Sequence, residues 1–270
     1  LFEEVLADCA RLLGGDHPHA LASRGNLAYA YQAAGRLGEA IPLFEEVLAD
    51  CARLLGGDHP HALASRGNLA YAYQAAGRLG EAIPLFEEVL ADCARLLGGD
   101  HPDSLASRGN LAGAYESAGR LGEAIPLFEE VLADRVRVLG EGHPHTLTSR
   151  GNLAGAYESA GRLGEAIPLY EQVLADSMRV LGDNHPHTLT SRNNLAYAYL
   201  AAGRLDEAIP LYEQVAADSV RVLGPDHPHT LTFRNNLASA YKAAGRLDDA
   251  KALFDQPTDP DGTGTDRADN

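Results

Sequence analysis

The chain has 270 residues, enough for one or two ordinary domains, a formal net charge of −16 and no tryptophan. Its basic residues are scattered singly, which excludes the electropositive footprint of a nucleic-acid reader and disfavours attachment to an acidic membrane surface. No apolar run approaches the roughly 20 residues needed to span a bilayer.

In chain order, the first element is a helix over "LFEEVLADCARLL" at 1–13, stopped by the Gly14–Gly15 pair. The segment "GGDHPHALASRGNLAYAY" at 14–31 follows. From 20 to 34 the apolar Leu21, Leu27, Ala28 and Tyr31 lie near one stripe of a 3.6-residue helix, which Gly35 ends. A second helix is predicted over 38–55, with Ala40, Ile41, Phe44, Val47, Leu48 and Leu55 on its apolar face. Pro42 is expected in its first turn, where a missing N–H is harmless.

The unit then recurs. Residues 43–84 repeat 1–42 without change, residues 85–126 differ at a few places, and three more divergent copies run to 252, giving a strict 42-residue period. The opening helix matches 43–55 and is therefore a second helix whose partner is absent. A single hairpin has too little apolar surface to close on itself, so the units must stack. The expected fold is all-α, an α-solenoid of antiparallel helix pairs winding into a superhelix over 1–255. The last second helix starts near Leu247. Residues 256–270 are polar and turn-rich and are expected to form a disordered tail. Such exact duplication also fits an engineered repeat. The missing leader and initiator point to a fragment of something longer.

All 11 histidines lie in the "HPH" junctions. A His-x-His pair supplies two imidazoles, whereas zinc needs about four converging ligands. Punctuation at a helix start is the better reading: Asp, Asn or Gly precedes each His-Pro, proline presets the first turn, and His17 itself is a candidate cap. No metal and no cofactor are expected. Cys9, Cys51 and Cys93 recur at the repeat period and become Arg135, Ser177 and Ser219 later. That exchange predicts a wettable position and a reducing, cytoplasmic setting without disulfides.

"NLAYAYQAAGRLGEAIPLFEEVL" at 26–48 resembles the tetratricopeptide repeat. Leu27, Ala28, Tyr31, Gly35, Ala40, Phe44 and Val47 match that family's packing positions. The 42-residue period with its "LG…DHP" junction is similar to the long variant of kinesin light chains and of bacterial signalling proteins built on an NB-ARC-type ATPase. The resemblance implies a concave groove lined by first helices at Ala22, Gly25, Asn26, Tyr29, Gln32, Ala33 and their equivalents. It further implies that the ladder Asn26, Asn68, Asn110, Asn152, Asn194 and Asn236 holds the backbone of an extended peptide, since an amide both donates and accepts. A purely structural ladder is the alternative.

Arg24 and its equivalents, including Arg66, Arg108 and Arg150, form a second ladder, open either to ion pairing with second-helix carboxylates or to a ligand's acidic group. Glycines at 25, 67, 109 and 151 favour close helix packing slightly over close ligand approach. Between copies the groove varies more than the core. Tyr29 and Tyr71 become Gly113, Gly155, Tyr197 and Ser239, while Gln32 and Gln74 become Glu116, Glu158, Leu200 and Lys242. A chemically zoned groove suits an extended polypeptide; drift at solvated positions is the alternative.

No phosphate loop, nucleophile elbow or metalloprotease motif is present, so no catalysis is expected. The function expected is a protein–protein interaction module, the sensor or scaffold region of a larger bacterial signalling protein. A self-assembly module and an arm regulating its own ATPase domain are the rivals. The uncapped first helix, with Phe2, Val5 and Leu6, invites head-to-tail self-association.

Overall fold

The computed structural model describes residues 2–255. Thirteen helices, and no strand, occur among them. First helices are α2 (Pro18–Ala33), α4 (Pro60–Ala75), α6 (Pro102–Ser117), α8 (Pro144–Ser159), α10 (Pro186–Ala201) and α12 (Pro228–Ala243). Second helices are α1 (Phe2–Leu13), α3 (Leu37–Leu55), α5 (Leu79–Leu97), α7 (Leu121–Leu139), α9 (Leu163–Leu181), α11 (Leu205–Leu223) and α13 (Leu247–Asp255). Consecutive helices pack as the α-solenoid that the period predicts. The chain divides into two compact units, one up to Ser149 and one from Arg150 on. The predicted tail at 256–270 and the side chains of Phe2 and Leu6 lie outside the described residues.

Each first helix starts on its histidine. His17 is extended, at φ −71° and ψ 139°, as a residue before proline must be, and Pro18 opens the helix. The His17 imidazole Nδ1 accepts the His19 backbone N–H at 3.2 Å. The same bond recurs at His59, His101, His143, His185 and His227. Imidazole here does what Asp, Asn or Ser usually does at a cap. The neighbouring Asp16 is thereby freed and pairs with Arg53 at 2.6 Å.

The predicted place of Pro42 needs correction. The second helix begins at Leu37, with Arg36 as its cap, so Pro42 sits inside it. The Arg36 carbonyl already accepts the N–H groups of Glu39 and Ala40, which starts the turn earlier than the glycine suggests. Pro42 therefore leaves the Gly38 carbonyl without its helical donor. Positive φ at Gly35 (+72°) and Gly56 (+91°) turns the chain out of each helix, which L side chains resist.

Small residues set the packing distance. In the first unit Ala28, Ala40, Ile41, Phe44, Leu69 and Ala72 form one cluster, and Leu21, Val47, Cys51 and Ala62 another. In the second unit a continuous cluster includes Leu189, Tyr212, Val215 and Phe233. Phe44 is buried, which contributes about 1.5–3 kcal/mol. Struts on the outside reinforce adjacent repeats. The Tyr73 hydroxyl donates to Glu45 at 2.6 Å, while the Arg78 guanidinium lies 4.4 Å from the Tyr73 ring centroid. A cation over an aromatic face in this way adds roughly 0.5–1 kcal/mol at an exposed site.

Candidate functional site

Two equivalent cavities open between adjacent first helices of the first unit. One, of about 570 Å3, is lined by Leu21, Asn26 and Tyr29 on α2, Val47 and Cys51 on α3, and Ser65 and Asn68 on α4. The other, of about 440 Å3, repeats these contacts one unit on, with Leu63, Asn68, Tyr71, Val89, Cys93 and Asn110. Both lie within the size range of small-ligand pockets and are mostly apolar with a few convergent polar groups. The structure thus brings Asn26, Tyr29 and Asn68 together, then Asn68, Tyr71 and Asn110.

Within these cavities the tyrosines stand half-exposed. Tyr29 meets Phe44 edge-on at 5.1 Å, and Tyr71 meets Phe86 the same way. Burial pushes the Tyr29 phenol above its ordinary value, and a hydrogen bond from Asn68 opposes that shift. Asn68 therefore already engages one side chain of the face it is expected to present.

Other predicted positions are placed differently. The Gln32 Oε1 is buried without a hydrogen-bond partner, whereas Gln74 donates to the Ser117 hydroxyl at 2.9 Å. Glu116 and Glu158 are half-buried, and Asn152 is exposed. Tyr197 is exposed, and its charge, like that of Glu158, adds to the burial that raises the Tyr212 phenol. Asn194 is half-buried, and Asn236 donates to Asn193 at 2.9 Å.

The arginine ladder turns to the second helices. Arg66 reaches Asp92 at 2.6 Å, Arg108 reaches Asp134 at 2.8 Å and Arg150 reaches Asp176 at 2.9 Å. Each guanidinium is largely buried, which makes its carboxylate a packing partner.

Two expectations fail on the same observation of space. A Cβ added at Gly25, Gly67 or Gly109 meets nothing within 4 Å, so helix packing does not require these glycines. Gly25 and Gly67 line the two cavities. Nor is the cysteine position wettable: Cys51 and Cys93 are buried, with the Ser65 and Ser107 hydroxyls 3.6 Å from their sulfurs. Exchange with serine is tolerated because a hydroxyl bonds in the same place, as Ser177 and Ser191 show at 3.5 Å. At the equivalent place Arg135 is half-buried and bonds the following first helix.

That arginine is a candidate site residue that the sequence reading passed over. The Arg135 guanidinium Nη1 donates to the His145 carbonyl at 3.0 Å and the Ser149 hydroxyl at 2.8 Å. These are the equivalents of His61 and Ser65, which line the Cys51 cavity. No carboxylate pairs with Arg135 among the described residues, and burial holds its pKa below the ordinary arginine value. The signal was present as one substitution at the 42-residue offset.

Among the described residues no three His, Cys, Asp or Glu side chains converge as metal ligands. Their helices include none long and apolar enough to cross a membrane.

A stack of capped helix pairs around open, amide-rimmed cavities defines a helical-repeat scaffold. The tetratricopeptide repeat model matches residues 1–51, 20–91, 62–135, 110–177, 161–218 and 189–256, and the chain belongs to this family. A crystal structure of a kinesin light chain-like protein from Podosopora anserina, with nearly identical TPR-like repeats, is 42% identical. It covers 74% of this chain and 95% of its own, at a TM-score of 0.66. The STAND signal-transduction ATPase PH0952 of Pyrococcus horikoshii, which has a tetratricopeptide repeat sensor, is 15% identical over 93% of this chain and 38% of its own, with a TM-score of 0.67. NprR, solved with its cognate peptide NprX, is 16% identical over 93% of this chain and 70% of its own, with a TM-score of 0.62. The last two likenesses concern the fold alone. No curated protein matches the chain.

Proposed function

We propose that this chain binds an extended peptide segment of a partner protein on the face built by its first helices. Tetratricopeptide repeats mediate protein–protein interactions, and proteins of this kind are typically non-catalytic scaffolds. The observation that carries the finer reading is the pair of cavities between α2, α4 and α6, each rimmed by two asparagines and a half-exposed tyrosine. Amides at a fixed spacing suit a ligand whose own amides repeat. NprR, of the same fold, is solved with a peptide bound. We assign the contact to Asn26, Asn68, Asn110 and their equivalents with Tyr29, Tyr71 and Tyr197, and treat 1–255 as one repeat array carrying a tail at 256–270. The free cysteines fit a reducing cytoplasm. PH0952 supports a place as the sensor region of a larger signalling protein.

The test is a triple variant, Asn26→Ala, Asn68→Ala and Asn110→Ala, with peptides selected from a random display library. Binding falls while helicity by circular dichroism is retained. Loss of helicity, or binding that does not change, overturns the assignment.

A further inference from the structure

Three successive repeats present the same position in two states along one face. Cys51 floors the first cavity, Cys93 floors the second, and Arg135 stands at the third equivalent position. The sulfur-floored cavities are apolar, with Leu21 and Val47 or Leu63 and Val89 as walls. At the third position the guanidinium hydrogen-bonds His145 and Ser149, the equivalents of His61 and Ser65 that wall the first cavity. Its local acids are already committed. Asp134 is bound by Arg108 at 2.8 Å and by Arg137 at 2.9 Å, while Arg137 also holds Asp100 at 2.5 Å. Arg135 is thus a cation left without an anion among the described residues, in a chain of net charge −16. A half-buried guanidinium with two carbonyl or hydroxyl acceptors still has donors to offer, and a carboxylate matches its fork.

We propose that the Cys51 and Cys93 cavities each receive an apolar side chain of one extended peptide, and that Arg135 receives a carboxylate of the same peptide. The proposal rests on the peptide-binding reading above and names its ligand class: an apolar residue, a second apolar residue, then an acid, in line along the face. Cys51, Cys93 and Arg135 stand on α3, α5 and α7, so successive anchors lie one repeat apart along the face. The mostly apolar cavities contribute affinity by burial, and the ion pair fixes which end of the peptide lies at Arg135.

The decisive variant is Arg135→Cys, which installs the residue the chain itself uses one and two units earlier and so keeps the fold. A random twelve-residue peptide library is displayed and selected against the intact chain and against Arg135→Cys. Peptides from the parent carry two apolar residues and an acid in line. Peptides from the variant exchange the acid for a third apolar residue. In fluorescence anisotropy, changing the acid of a selected peptide to its amide weakens binding to the parent about tenfold and to the variant hardly at all. An acid preference that survives Arg135→Cys, or selected peptides without the apolar pair, overturns the proposal while peptide binding itself stands. Selected peptides whose binding ignores Asn68→Ala and Asn110→Ala, or no selected peptides at all, overturn both readings.

Discussion

The imidazole Nδ1 of His59 accepts the backbone N–H of His61 at 3.1 Å, and the two rings stack with centroids 5.3 Å apart. One side chain thus satisfies an orphan donor at the start of α4, and its neighbour packs on it. His59→Ala is expected to lower stability by about 1 kcal/mol, the usual worth of an N-cap. His59→Asn keeps an acceptor and loses less. Urea denaturation of the three proteins orders them, with amide exchange at His61 as the local readout. Equal midpoints for parent and Ala variant refute the cap.

Acid sensitivity follows from Asp92. Hydrogen bonds from Arg95, with Arg66 adding to them against a smaller cost of burial, hold its carboxyl below the ordinary value of 3.8. A carboxyl whose folded pKa is depressed contributes stability that is fully present above the unfolded value and is lost as pH falls through the folded one. Stability measured from pH 6 down to pH 2.5 therefore falls below about pH 4. In Asp92→Asn that part of the fall is missing, because the titrating group is gone. A parallel pH profile for the two proteins contradicts this.

Gly67 lies inside α4 with open space where a Cβ would stand. Glycine in a helix costs about 1 kcal/mol relative to alanine. Gly67→Ala should raise the denaturation midpoint by up to that amount. The same methyl narrows the Cys93 cavity, so binding of a selected peptide should weaken. A variant that is destabilised shows that a neighbour needs the space, and one that binds unchanged shows that the ligand does not approach there.

The strut between Tyr73 and Glu45 has a spectroscopic signature. Burial, then the hydrogen bond and charge of Glu45, push the Tyr73 phenol up to about 12. Absorbance titration of the parent minus that of Tyr73→Phe should show one phenol ionising about there. In Glu45→Gln that phenol ionises at lower pH. A Tyr73 that titrates at 10 in the parent means the strut is not formed in solution.

Much of the architecture was legible because its cause is local. Periodicity places Leu27, Ala28 and Phe44 on one face, the glycines at 35 and 56 end helices by conformation, and a strict period leaves stacking as the way to bury those faces. The cap was legible only to within a residue or two, since Asp16 is the commoner capping type and only the backbone before Pro18 settles the choice. Pro42 misled because proline inside a helix is rare, and the small Gly38 four residues earlier gave no warning. The cavities were not legible. The likeness to tetratricopeptide repeats implied a shared face for Asn26 and Tyr29, whereas the space between α2 and α4 depends on how far apart two non-consecutive helices sit. Arg135 shows the same limit. A change from Cys to Arg looks like drift in a string of letters, and becomes informative once Cys51 is seen to floor a cavity.

The likeness of the two cavities has a statistical consequence. Because residues 1–42 and 43–84 are the same, a ligand with a single apolar anchor finds two closely similar places to lie, set apart by Asp103 at the second where the first has His61. Two places of nearly equal affinity favour binding by up to RT ln 2, about 0.4 kcal/mol with RT near 0.59 kcal/mol, and leave the complex a mixture of two alignments. Such a ligand can move between them by shifting one repeat along the face, without leaving it. Nearly uniform repeats therefore behave as a ruler with a faint zero mark. The repeats that diverge, from Asp103 and Arg135 onward, are where a zero can be set, and there the alignment of a bound chain becomes unique.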